Sequence, residues 1–219
     1  MRTRHILYLV TILICSIAAQ ASPAMQRCAP ELDGLYPSTW REISRAIGDL
    51  NADRIPDALV IAEQPLPKGR AFRRLIVARR AGSNYCVVYS NDSFVPTAGE
   101  AFMDDPLSET GVQIRRGVAS IDLSLSYKAG SWELKGLTYR FKLKGGDMAL
   151  IGLDSTTVNR ATGAVVEYSE NLLTRRGIKT EGRIDQDRSK TTVKRLPRRP
   201  VIFMSEMASA LDYRPAEGE

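Results

Sequence analysis

The chain has one histidine, His5, and three cysteines in 219 residues, and both scarcities restrict its chemistry. Histidine is the usual general base near neutral pH and the commonest metal ligand. His5 lies in an N-terminal stretch that reads as a removable export signal, so the remaining chain has none. Ser-His-Asp and Cys-His catalysis and ordinary zinc sites are thereby excluded. Carboxylate, lysine or tyrosine chemistry is left, or none. The chain also lacks a second long apolar run and any internal repeat with a period of roughly 40 to 60 residues, which argues against a propeller.

The export signal follows from order as much as composition. Arg2, Arg4 and His5 precede the apolar residues 6–14, and Ala19 and Ala21 supply the small positions of a cleavage site. Cleavage is expected after Ala21, with Ala24 as the alternative. The apolar run is shorter than the roughly 20 residues of a membrane span, and Ile14 precedes Cys15 where a lipoprotein signal carries a small residue. The expectation is a periplasmic or secreted protein with no transmembrane segment after signal cleavage. Removing residues 1–21 takes away Arg2 and Arg4, so the net charge of +6 falls by two. Export to an oxidising compartment favours pairing the two remaining cysteines, Cys28 and Cys86, in a disulfide; two buried free thiols are the alternative.

The hydrophobic pattern predicts a mainly β protein with a minor α component. Its expected form is an antiparallel β meander or sandwich with one short N-terminal helix, and not a full propeller. Residues 22–196 are expected to form a single domain, with an acidic loop at 48–57 and a meander at 112–180, followed by a C-terminal segment and tail at 197–219. Thr39 to Glu42 has capping-box spacing, and Trp40, Ile43 and Ile47 fall on one helical face before Gly48. Residues 58–62 are continuously apolar, which suits a strand covered on both faces. Residues 75–79 and 85–89 flank Gly82-Ser83-Asn84 as a hairpin.

Strict alternation follows at Ala119, Ile121, Leu123, Leu125 and Tyr127, with Ser120, Asp122, Ser124 and Ser126 opposite. The apolar phase shifts near Gly136, which predicts a bulge there, and Gly145-Gly146 reads as a tight turn. Strands are expected at 165–169 and 172–176, a polar loop at 185–194, a last strand at 201–204 and a mobile tail from Arg214.

The acidic run carries the most specific chemistry. Asp49, Asn51, Asp53 and Asp57 stand at positions one, three, five and nine of a loop, with the Ile55 carbonyl at seven. Such a set of oxygens suits a hard divalent cation, and calcium is the cofactor the spacing fits. The run from Gly48 to Asp57, followed by apolar residues 58–62, resembles one FG-GAP or VCBS-type repeat unit. That resemblance implies a calcium loop leading into a strand. Ala52 and Arg54 stand where those repeats prefer glycine, and Arg54 brings a cation close to the loop. Two readings therefore stand: a calcium site, or a loop whose carboxylates only fasten turn amides.

A second resemblance covers about a third of the chain. Leu150 to Asp154, Asn159-Arg160-Ala161-Thr162-Gly163 and Ser169 to Thr174 look like a pattern of uncharacterised exported bacterial proteins with a single such acidic loop. It implies a shared fold and no particular activity. Asp154, Arg160 and Asn171 read either as loop fasteners or as a ligand site.

Other constellations are less specific. Glu100, Asp104 and Asp105 offer carboxylates, and sequence adjacency alone does not supply the separation that glycoside hydrolysis requires. Arginines 70, 73, 74, 79 and 80 form one basic cluster, and Lys190, Lys194, Arg195, Arg198 and Arg199 another. Each reads as a solvated face, or as a surface for an anionic glycan, a lipid head group or an acidic envelope protein. Export argues against nucleic acid. The expected function is an exported, non-enzymatic binding or envelope-associated module. The alternative is a carboxylate-based envelope hydrolase, or an inhibitor of one.

Overall fold

The computed structural model describes residues 27–67, 71–99, 104–128 and 131–215; the stretch expected to be an export signal, Arg70, Glu100 and residues 216–219 lie outside them. The described residues form two antiparallel sheets. The first contains β1 (Cys28–Ala29), β2 (Arg41–Gly48), β3 (Asp57–Pro65), β4 (Ala71–Ala81) and β5 (Asn84–Asn91), in the order β1-β5-β4-β3-β2. The second is a meander in chain order: β6 (Leu107–Arg115), β7 (Val118–Ser126), β8 (Glu133–Lys144), β9 (Asp147–Asn159), β10 (Ala164–Asn171), β11 (Arg176–Arg183) and β12 (Gln186–Arg195).

The continuously apolar stretch 58–62 behaves as its pattern predicts. Leu59 and Ile61 enter the core between the sheets, while Ala58, Val60 and Ala62 face a second apolar cluster on the other side. Leu32, Leu35 and Tyr36 from the N-terminal segment cover that second side. Cys28 lies directly opposite Cys86 across the β1–β5 ladder and is joined to it by a disulfide. Backbone pairing and covalent bond thus hold the covering segment at the same point.

Between the sheets, Ala119, Ile121, Leu123 and Leu125 of β7 are buried, as their alternation predicts. Tyr139 and Phe141 of β8 lie beside them. Phe94, from the β5–β6 connection, meets both rings edge-on at 5.4 and 5.5 Å between centroids. Edge-to-face contacts of this kind add roughly 0.5–1.5 kcal/mol each beyond the area they bury. The C-terminal segment crosses the same core: Met204, Met207 and Ala210 are buried, the Ala210 amide donates to the Phe94 carbonyl at 2.9 Å, and the Tyr139 hydroxyl donates to the Ala210 carbonyl.

Several expectations are corrected. The segment expected as a short N-terminal helix is strand β2, paired with β3 along its length. A register shift at Ile43 interrupts its alternation, so Trp40 packs on the outer cluster, Ile43 on the core, and Ile47 is exposed. Pairing with the buried strand β3 outweighs the helical spacing. The bulge expected at Gly136 lies instead at Arg140/Phe141, opposite β9, while Gly136 pairs regularly with Ser124 and Thr156. Residues 172–175 form a turn, β11 begins at Arg176, and all but Asp185 of the polar stretch 185–194 lies in β12. Of the last expected strand, one bridge between Phe203 and Ala149 exists.

Candidate functional site

The acidic loop joins β2 to β3 and is built from its own side chains. Asp49 accepts the amides of Asn51 (3.1 Å) and Ala52 (2.7 Å) on one oxygen and that of Arg54 (2.8 Å) on the other. Asn51 Oδ1 accepts the Asp53 amide at 3.1 Å, and Asp53 Oδ1 accepts the Ile55 amide at 2.8 Å. The second Asp53 oxygen takes the Asn51 side-chain amide at 2.7 Å and faces Arg79 at 3.5 Å. The Ile55 amide and the Asn51 side chain hold the Asp53 carboxyl below its ordinary range.

Asp57 is fully buried, and its two oxygens accept the amides of Leu50 (3.0 Å) and Arg80 (3.1 Å). Burial pushes its carboxyl up, against the two amides that favour the charge. Each sequence-predicted side chain therefore has protein partners, and Asp57 is buried while Asp49 is half-buried and Asp53 exposed. Among the described residues, no group of three or more acidic, histidine or cysteine side chains is gathered as for a metal ion. As arranged, the donor set fits the turn-fastening reading better than a calcium cage. Ala52 and Arg54 adopt φ values of 64° and 66°, the left-handed backbone that favours glycine.

Of the first basic cluster, Arg73, Arg74, Arg79 and Arg80 are taken up by structure. Arg73 is buried and ion-paired with Glu63 at 2.8 Å and with Asp105, and it donates to the Pro96 carbonyl at 2.6 Å. Although burial opposes it, the Arg73 guanidinium and the Leu107 amide hold the Asp105 carboxyl below its ordinary value. Asp105 is thus an ion-pair partner of Arg73; Glu100 lies outside the described residues. Arg74 pairs with Asp92 at 2.6 Å and stacks over Trp40, and Arg80 lies over Tyr85.

Asp154, Arg160 and Asn171 do not meet. Asp154 pairs with Arg140 and accepts from the Ser169 hydroxyl on the wet face of the second sheet. Asn171 caps its turn through the Thr174 amide at 2.9 Å, and Asn159, not Arg160, fastens the 159–163 turn.

The second basic cluster lies beside two cavities that flank the chain between Leu196 and Ile202. The first, of about 480 Å³, has an apolar floor that includes Leu143, Leu150, Leu172 and Ile202. Lys142, Lys144, Arg175, Arg198 and Arg199 also line it, and no acidic residue does. The second, of about 920 Å³, lies over β9 to β12 of the second sheet. Ser155, Tyr168, Lys179 and Thr192 form one cross-strand row over β9 to β12, because each is the register partner of the next. Gly177 keeps the neighbouring row low: a Cβ there would come within 2.9 Å of Leu196. Lys194, Arg199 and Arg214 add charge, and Glu181, paired with Lys179 at 2.7 Å, is the carboxylate among the lining residues. In that neighbouring row the buried Glu170, register partner of Gly177, accepts the hydroxyls of Tyr168 (3.2 Å) and Tyr213. Burial and Glu170 push the Tyr213 hydroxyl far up, so it stays protonated.

Sequence reading singled out Lys194, Arg198 and Arg199. It missed Lys142, Lys144 and Arg175, which are far away in sequence and are brought alongside by the long β8–β9 hairpin and the β10–β11 turn. Among the described residues no helix is long and apolar enough to cross a membrane. Compared with known protein families, curated proteins and solved structures, the chain matches none.

Proposed function

We propose that the protein is an exported, non-enzymatic binding module of the cell envelope whose ligand is anionic, such as an anionic glycan or an acidic envelope partner. The observation that carries this reading is the asymmetry of the first cavity: five cationic residues and no acid among those lining it. A cleft lined by one sign of charge concentrates ligands of the other. The disulfide supports export, because such bonds persist in oxidising compartments. A carboxylate-based hydrolase is the weaker reading, since a pair of carboxylates lines neither cavity.

Calorimetry with a uronate-rich oligosaccharide at two salt concentrations tests the proposal. Binding that weakens as salt rises is expected, and the double charge reversal Lys144→Glu/Arg198→Glu reduces affinity by about tenfold or more. Absence of binding to any anionic probe at low salt, with the fold intact, overturns it.

A further inference from the structure

The first cavity has a second property that charge alone does not require. Its floor is apolar, formed by Leu143, Leu150, Leu172 and Ile202, and its margin carries Leu173 and Val201, which are 65% and 47% exposed. Large aliphatic side chains left in water beside a concave apolar floor are what an apolar ligand covers. Lys142, Lys144, Arg175 and Arg198 line the same cavity, and none of the four is ion-paired among the described residues. A ligand that satisfies both parts has a hydrocarbon chain and an anionic head. The volume of about 480 Å³ falls within the range of small-molecule sites.

We infer that the cavity between the β8–β9 hairpin, the β10–β11 turn and the 196–202 segment binds a single-chain anionic amphiphile. The alkyl chain lies on the Leu143–Leu172–Ile202 floor, and the carboxylate or phosphate head meets the Lys144, Arg175 and Arg198 rim. This rests on the anionic-ligand reading and names the ligand class for that site. Strands hold the floor on two sides, whereas the 196–202 wall is extended chain fixed at Leu196 by the Arg175 carbonyl (2.9 Å) and at Ile202 by the Leu150 amide (2.8 Å). The wall is therefore anchored at both ends, and the site between the anchors is preformed.

The test is titration of the intact, disulfide-bonded protein with dodecanoate, butyrate and dodecyl maltoside, each below its micelle-forming concentration, followed by calorimetry and by amide NMR shifts. Dodecanoate is expected to bind one molecule per chain and to shift the amides of Ile151, Leu172 and Val201. Affinity should rise with chain length by up to about fourfold per buried methylene. Dodecyl maltoside, with the same chain and no charge, should bind at least about tenfold more weakly. Leu173→Asp and Val201→Asp alter exposed positions and should each reduce dodecanoate affinity by about tenfold with an unchanged circular dichroism spectrum.

Three results overturn the inference. Butyrate and uronate probes binding as well as dodecanoate would leave an anion site without an amphiphile site. Equal affinity for dodecyl maltoside would remove the role of the cationic rim. Shifts confined to other parts of the protein would remove the location. Silence from every anionic probe would overturn the broader anionic-ligand reading as well.

Discussion

At Ala52 and Arg54 the backbone is left-handed without the glycine that normally permits it. A side chain in that region costs roughly 1–2 kcal/mol, and Asp49 opposes that cost by holding the Arg54 amide. The Arg54 side chain is exposed and makes no ion pair among the described residues, so little is lost with it. Arg54→Gly relieves the backbone while adding freedom to the unfolded chain, and the difference should stabilise the protein by about 0.5–1 kcal/mol in urea denaturation. A loss of stability would mean that the arginine side chain contributes more than its backbone costs. At this scale the loop was legible in part: the turn-fastening use of Asp49, Asn51 and Asp53, one of two readings, follows from residue type and spacing, whereas the two left-handed positions were pointed to by the resemblance alone. The burial of Asp57 was not, because it depends on the Arg80 amide arriving from β4.

Strands were legible where the core faces them. β3 and β7 carry apolar patterns that match their two-sided and one-sided burial. β2 and β12 were not. The bulge at Ile43 breaks the period of two in β2 and leaves a spacing that imitates a helix. β12 extends past the core, so neither face selects hydrophobic residues; it is held by backbone pairing and by contacts such as Thr180 with Thr191 at 3.2 Å. Its lysines and arginines on an edge strand discourage pairing with another chain. The β1 clasp is the opposite case, a strand of two residues fixed by the Cys28–Cys86 bond, whose cysteines are separated by 58 positions in sequence. On the loop-entropy account, closing that length stabilises by about 4 kcal/mol, so Cys28→Ser/Cys86→Ser should lower the unfolding free energy by roughly that amount. A change below about 1 kcal/mol in urea denaturation would show that the covering segment is held by Leu32, Leu35 and Tyr36 packing instead.

The two sheets share one core, and that sets how the molecule responds as a whole. Leu59, Ile61, Leu75 and Val77 of the first sheet belong to the same buried cluster as Ile121, Tyr139, Phe141 and Leu153 of the second. Phe94 belongs to neither sheet, is fully buried, and ties the connection between them to the C-terminal segment through Ala210. The sequence did not reveal this role, since Phe94 stands among turn residues with no periodic neighbours. Its truncation tests whether the sheets are one cooperative unit. Phe94→Ala removes a ring from the shared core and should cost about 3–5 kcal/mol. If unfolding is cooperative, the slowest-exchanging amides of β3 and β4 and those of β8 and β9 lose protection by the same increment in native-state hydrogen exchange. Loss confined to one sheet would mean that each stands alone. Equal loss makes the wall of the proposed amphiphile site part of the global fold, because the segment that ends that wall at Ile202 continues directly into buried Met204.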